Sequence, residues 1–432
     1  MFQWKHRSIL SMRGFLDLST KTDVVENVFD RFLTGPRVFK DRDALRHDYI
    51  PEKLPHRENQ IGLLGEILAP TLRAHRCSNL FIYGQTGTGK TAGVRHVLVR
   101  LLRKGKEVGA PLETCYVNCR VAGTDYRVLF TLCQAVGVDV PFTGLALAEI
   151  FERFKAALEA KRLMFIVILD EIDALVKAQG DLLLYDLTRV NESLRFSRVS
   201  LIGISNDLRF KELLDPRVLS SLSEEEVVFP PYSAPELRDI LLERVHISFV
   251  DGAVSDGALN LCGALAAAEH GDARRALDLL RVAGELAERE GNKSVSEEHV
   301  RTAERKIEED RVVEVLRTLP VHPKLVMCSV YLLKGVGVDA SITGDIYMVY
   351  RELCERLSLD ALTQRRVSGL VNELDVMGLL NARVVSLGRY GRTKKVSLGV
   401  PSAKVRDVYS EDSWIGHIVD YTPKCLIDYK KS

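Results

Sequence analysis

One twelve-residue stretch, Leu80-Phe81-Ile82-Tyr83-Gly84-Gln85-Thr86-Gly87-Thr88-Gly89-Lys90-Thr91, constrains the fold of this chain more than any other. Its four apolar residues read as a buried parallel strand, and Val94, Val97, Leu98 and Leu101 beyond it have helical spacing. Between strand and helix lies G-x-x-x-x-G-K-T. Its glycines permit a tight loop that points successive backbone N–H groups at phosphate oxygens, with the positive end of the next helix behind them. In that geometry Gly84, Gln85, Thr86, Gly87, Thr88 and Gly89 form a cradle, Lys90 reaches the β- and γ-phosphates, and the Thr91 hydroxyl is a Mg²⁺ ligand. The stretch implies a nucleoside triphosphate site.

Such a loop needs a sheet to stand on, and the sequence supplies one. Pro51 and Pro55 punctuate the approach, and a helix follows with apolar positions Ile61, Leu64, Ile67 and Leu68. From there to about Val228, short apolar runs alternate with helical stretches, the pattern of βαβ units and a parallel sheet. The expected strands are 80–83, 114–118, 164–169, 199–204 and 226–229. The third runs into Asp170-Glu171-Ile172-Asp173 at the carboxyl edge of the sheet. Asp170 is positioned for the Mg²⁺ shell, and Glu171, pointing elsewhere, for polarising the water that attacks the γ-phosphate. The fourth ends at Asn206, a residue able to hydrogen-bond that phosphate or water.

Composition narrows the rest. A chain of 432 residues with 46% hydrophobic content can form two to four domains. With 60 basic against 59 acidic residues there is no global polycation, so any nucleic-acid site must be a local patch. The eight cysteines are scattered without a C-x-x-C pair, which reads as reduced thiols, with core packing for Cys115 and Cys119. Met1 to Leu18 is interrupted by Lys5, His6, Arg7 and Arg13, and no run of 18 apolar residues exists. The expectation is a soluble, untargeted cytoplasmic protein without a membrane partner. Residues 1–45 read as a partly ordered arm, with a short helix around Val24, Val25, Val28, Phe29 and Phe32.

Taken in order, these motifs resemble the AAA+ ATPase plan. Gly84 to Thr91 looks like Walker A and Ile166 to Asp173 like Walker B. Asn206 looks like sensor 1, Asp215-Pro216-Arg217 to Leu222 like the box carrying the arginine finger, and Gly271-Asp272-Ala273-Arg274-Arg275 like sensor 2. Pro55-His56-Arg57-Glu58-Asn59-Gln60 and the insert from Thr124-Asp125-Tyr126-Arg127 to Leu145 are similar to the archaeal origin-recognition and cell-division-control replication initiators, over roughly residues 38–400. The resemblance implies ATP/ADP and Mg²⁺ as cofactors, Arg57 against the adenine, and Arg217 as a finger completing the site of a neighbouring subunit. It also implies a lid contact to phosphate from Arg274, or from the adjacent Arg275, and duplex DNA contact by the insert around Arg127.

Beyond about Lys324 the pattern becomes a compact helical domain. Its expected helices lie around Leu325–Leu332, over Ile346–Leu357 behind a Thr343 cap, and over Thr363–Val376. In the third, Val367, Leu370, Val371 and Leu374 form an inner stripe, while Gln364, Arg365, Arg366 and Ser368 face outward, as a helix in a major groove would. Two short strands follow around a Gly-bracketed turn, with five basic residues and no acid between Gly378 and Ser397. Arg389, Arg392, Lys394 and Lys395 thus form a basic hairpin resembling the wing of a winged helix.

The expected architecture is α/β: an N-terminal arm (1–45), an AAA+ parallel-sheet base (46–229) with the insert at 123–145, and an α-helical lid (230–310). A winged helix (311–405) and a C-terminal extension (406–432) complete it. The implied function is an ATP-dependent replication initiator, a slow regulatory ATPase that binds origin duplex on the chromosome, joins other initiator subunits and recruits or loads the replicative helicase. The alternative is a signal-transducing ATPase switch whose winged helix binds protein.

Overall fold

The apolar runs become five strands, β1 (Leu80–Tyr83), β2 (Leu112–Asn118), β3 (Met164–Asp170), β4 (Arg198–Ser205) and β5 (Glu225–Val228). The computed structural model describes residues 37–46, 49, 51–386 and 392–426, together with Glu26, Phe29 and Leu33. Within these, the five strands form one parallel sheet in the order β2-β3-β4-β1-β5. Every residue of β3 is buried, as expected of a central strand covered by helices on both faces. Alternation along β1 divides the core. Leu80 and Ile82 join Leu64, Val94 and Leu98 on one face, and Phe81 joins Val167, Leu169 and Phe154 on the other.

Register then fixes where the chemistry sits. Asn118 pairs with Asp170, Asp170 with Ile204, and Tyr83 with Ser205 on one side and Val228 on the other. The ends of all five strands, and the loops that leave them, share one carboxyl edge. Thr124 caps the insert helix Asp125–Ala135, which a loop joins to the helix Leu147–Lys161. Cys115 and Cys119 are buried, and burial pushes their thiols up to about 11 and about 12.

Helices Ala234–Ser248, Asp256–Ala268 and Ala273–Glu290 form a separate layer after Pro230-Pro231. A capping box between Ser233 and Glu236 starts the first of them. Residues 38–45, expected as the end of an arm, are built into this layer instead. Val38, Phe39, Ala44 and Leu45 are buried, and the Phe39 and Phe249 rings lie 4.6 Å apart. Both rings crowd Gly284, where an added Cβ would come within 2.4 Å of Phe39. The expected helix positions Val24, Val25, Val28 and Phe32 lie outside the described residues.

Met1–Ala303 and Glu304–Ser432 are two compact units. The second contains helices Val321–Gly335, Thr343–Arg356 and Gln364–Val376, and strands β6 (Ser341–Ile342), β7 (Leu380–Ser386) and β8 (Arg392–Leu398). The strands pair antiparallel in the order β6-β8-β7. Thr343 is not a cap. Ile342 is extended, paired with Lys395 and itself the N-cap, so the helix begins at Thr343, earlier than expected. Val405, Val408, Tyr409, Ile415, Ile418 and Val419 belong to the same core. The Glu352 carboxylate accepts from Tyr421 Oη (2.6 Å), Lys424 N (2.6 Å) and Cys425 N (3.1 Å), fastening the C-terminal segment. No helix among the described residues is long and apolar enough to cross a membrane.

Because Phe39 is 3% exposed and packs where neighbouring rings cannot collapse onto the space it leaves, Phe39→Ala should destabilise the first unit by about 3–5 kcal/mol. Denaturant unfolding checks this, and a loss below about 1 kcal/mol would show that the segment merely rests on the lid.

Candidate nucleotide site and nucleic-acid interface

Glycine geometry builds the cradle. Gly87 and Gly89 have φ of +69° and +92°, a region that side chains rarely adopt. At Gly84 a Cβ would sit 2.3 Å from Phe229 O, and at Gly87 it would strike the Asp272 carboxylate. The loop leads directly into the helix Lys90–Val108, whose first turn exposes N–H groups to an anion. Lys90 Nζ bonds Gly84 O (2.9 Å) and Gln85 O (2.6 Å), and burial lowers its pKa to about 8.

The carboxylates meet the loop across the sheet edge. Thr91 Oγ1 donates to Asp170 Oδ2 at 2.7 Å, and Tyr116 Oη donates to the same oxygen at 2.7 Å. Two hard oxygen donors side by side suit Mg²⁺, so the residues present fit that ion and a nucleoside triphosphate. Tyr116 escaped the sequence reading. Burial and Asp170 push its hydroxyl up to about 12, while Arg95 stacks 4.4 Å from its ring centroid.

Glu171 adopts a left-handed backbone (φ 53°). Its carboxylate accepts from Arg120 Nε and from Asn118 Nδ2 (3.3 Å). Burial alone would raise its pKa, but Arg120 and Asn118 outweigh this and hold it below the usual glutamate range. Glu171, Asn206 and Arg274 line one cavity with Lys90 and Thr91. Arg275 does not line it, because its guanidinium pairs with Glu269 at 3.0 Å. Arg217 also lies elsewhere. It is exposed and bonded to Asp215 through Nε (3.1 Å) and Nη2 (3.2 Å).

Arg57 sits behind the phosphate loop. It does not line the cavity, because it is buried and its donors are taken up by the chain itself. Nε bonds Thr88 O (3.0 Å), Nη1 bonds His56 O (3.0 Å) and Nη2 bonds Pro230 O, while the guanidinium lies 3.7 Å from the Tyr232 ring centroid. The residue therefore pins the phosphate loop to the connector that begins the lid. Its burial explains why its pKa is lowered.

In the second unit, Thr363 caps the helix Gln364–Val376. Gln364, Arg365, Ser368 and Asn372 line a groove shared with Thr393 and Lys394 of β8. Arg366 is exposed but pairs with Glu373 at 3.0 Å, and Lys394 Nζ bonds Asn372 Oδ1. Lys395 is exposed on β8. Arg389 lies outside the described residues, and Arg392 is described only through its backbone. In the first unit, exposed Arg127 approaches the Phe142 ring to 5.5 Å.

Since Arg57 satisfies buried carbonyls on two segments, Arg57→Met should cost roughly 2–5 kcal/mol of first-unit stability and should also weaken nucleotide binding. Arg57→Lys should not restore either, because an ammonium cannot serve three divergent carbonyls as the planar fork does. Thermal scans with nucleotide titration test both, and a stable Arg57→Met that binds as the parent does would refute the pin.

Known proteins share this arrangement. A family model described as CDC6, C terminal winged helix domain, matches residues 314–408. The Cdc6 AAA+ ATPase-type lid domain matches 238–305, and an AAA domain matches 73–210. An ORC1-type DNA replication protein of Thermococcus onnurineus is 51% identical, covering 90% of this chain and 94% of that protein. ORC1-type DNA replication protein 1 of Methanosarcina mazei is 49% identical over 95% of this chain and 98% of its own. The solved structure of the Aeropyrum pernix ORC1 protein in complex with DNA superposes with a TM-score of 0.78 at 50% identity, covering 88% of this chain and 99% of that one. With an AAA+ base, lid and winged helix all matched, the chain belongs to the family of ORC1-type DNA replication proteins.

Proposed function

We propose that the chain is an ATP-dependent replication initiator that binds origin duplex DNA through its winged helix and the insert near Arg127. The observation that carries this reading is the groove lined by Gln364, Arg365, Ser368, Asn372 and Lys394, in a chain that also holds the Lys90–Thr91–Asp170 constellation. The protein acts as a slow, regulatory ATPase associated with chromosomal DNA in the cytoplasm, assembles with other initiator subunits and helps recruit or load the replicative helicase.

In the nucleotide site the chain's own groups divide the work. Loop N–H groups and Lys90 hold the triphosphate, Arg274 adds a lid contact, and Thr91 and Asp170 would hold Mg²⁺ with Tyr116 fixing the carboxylate. That ion, when bound, neutralises charge on the β- and γ-phosphates. Glu171 and Asn206 orient the attacking water, with Glu171 released from Arg120 to do so. Arg217, remote from this cavity, completes the site of a neighbouring subunit. The role of Arg57 is to position the loop.

Lys90→Ala should weaken ATP binding by roughly a hundredfold, whereas Glu171→Gln should keep binding and slow hydrolysis by about 10²–10⁴. Binding titrations alongside phosphate release check this, and equal loss of binding in both variants would refute the assignment.

Neutralising Arg389, Arg392, Lys394 and Lys395 together should weaken origin and random duplex alike and flatten the salt dependence by about one in slope per lost phosphate contact. Replacing Gln364 and Arg365 should instead narrow the gap between origin and random DNA by about 1–3 kcal/mol. Salt-titrated binding measures both. A wing variant that binds like the parent at every salt concentration would assign the winged helix to protein contacts.

A further inference from the structure

A single side-chain bridge spans the groove of the second unit. Lys394 Nζ donates to Asn372 Oδ1, joining strand β8 to the helix Gln364–Val376. An ammonium can only donate, so it takes the amide oxygen and leaves both Nδ2 hydrogens to other partners. Asn372 follows Ser368 by four positions and Arg365 by seven, so the three share one helical face, and all three line the groove. Lys394 has no carboxylate partner among the described residues. Directly across the ladder from it is Val384, another groove residue and an apolar neighbour for the lysine stem.

The two ends of the bridge suit different parts of a duplex. A lone ammonium on a flexible stem meets a phosphate as a point charge, whereas a primary amide carries an acceptor and a donor side by side. In the major groove only adenine shows the complementary pair, the N7 acceptor beside the N6 donor. Guanine shows two acceptors and suits Arg365 instead. While Lys394 holds Oδ1, that oxygen is not free to accept from N6, and the adenine contact is incomplete. A phosphate oxygen is a stronger partner for the ammonium than a neutral amide, since both groups are then charged. Docking of the backbone therefore draws Lys394 away and releases the amide.

We infer that Asn372 is a base-reading residue specific for adenine and that Lys394 gates it, passing from the Asn372 oxygen to a backbone phosphate as the duplex seats. This rests on the DNA reading proposed above and gives it a specificity residue. Arg365 and Asn372 lie about 10 Å apart along the helix axis, or about three base-pair steps, so the adenine falls within that distance of the base that Arg365 meets. On a duplex without an adenine there, the handover breaks the bridge and returns only the phosphate contact, so the bridge itself adds to discrimination.

The test uses the full chain, a duplex spanning its own footprint on chromosomal DNA, and a random duplex of equal length. Each adenine of the first is replaced in turn by 7-deazaadenine, which lacks N7, and by purine, which lacks the 6-amino group. At one adenine per bound chain both replacements should weaken parent binding by roughly fivefold to a hundredfold, and both should be silent there in Asn372→Ala. Asn372→Ala should bind the random duplex about twofold to fivefold more tightly than the parent, because Lys394 is no longer held, and this gain should vanish when Lys394→Met is added. Lys394→Met alone should flatten the salt slope by about one and keep the full adenine penalty. Parent binding indifferent to every adenine replacement overturns the inference, and that outcome needs no variant to fold. So does a penalty that survives Asn372→Ala, or random-duplex binding that Asn372→Ala fails to tighten. A parent that binds neither duplex overturns the DNA reading and this inference together.

Discussion

The parallel register of β1 to β4 is the constraint on which the nucleotide site depends. Tyr83, Asn118, Asp170 and Ser205 are far apart in sequence, yet the ladder aligns their strands to end at one edge. A one-residue slip in β3 would reverse every side chain between the two faces of the core and carry Asp170 away from Thr91. The burial of all seven β3 residues resists that slip, so the packing of Phe165, Val167 and Leu169 on one face and of Ile166 and Ile168 on the other is what holds the acid beside the hydroxyl.

Much of this was legible because the signals are local or periodic. Buried parallel strands appear as continuous apolar runs, and each expected strand is present with ends within two residues of the reading. The phosphate loop is a contiguous motif, and the inner stripe Val367, Leu370, Val371 and Leu374 is a helical period that the second core confirms. What escaped was set by partners distant in sequence. Tyr116 touches Asp170 across 54 positions, and Arg120 touches Glu171 across 51. No spacing rule reports such meetings. The tie from Arg57 to the Pro230 carbonyl escaped for the same reason, since it spans 173 positions. The Thr343 cap failed on a smaller scale, because strand pairing with β8 ends at Ile342 and the helix starts directly after it, a boundary set by a tertiary contact.

The two arginine-rich elements show how charge alone underdetermines role. Arg365 and Arg366 are adjacent on one helix, yet Arg365 lines the groove and Arg366 is engaged by Glu373. Among the lid arginines, Glu269 holds Arg275 while Arg274 remains on the cavity wall. In each pair a single nearby carboxylate separates the residue available to a ligand from the one that stabilises a helix surface.

The packing of Phe39 and Val38 into the lid also bears on synthesis. Arg42 finds its partner Glu288 only 246 residues later, and at a translation rate of ~5–20 residues per second that interval is roughly 10 to 50 s. Through it, the apolar side chains of 38–45 leave the ribosome before the helices that cover them exist. The nascent chain therefore carries an exposed hydrophobic segment until the lid is made, and chaperone binding or proteolysis during translation would be focused there rather than on the nucleotide loop.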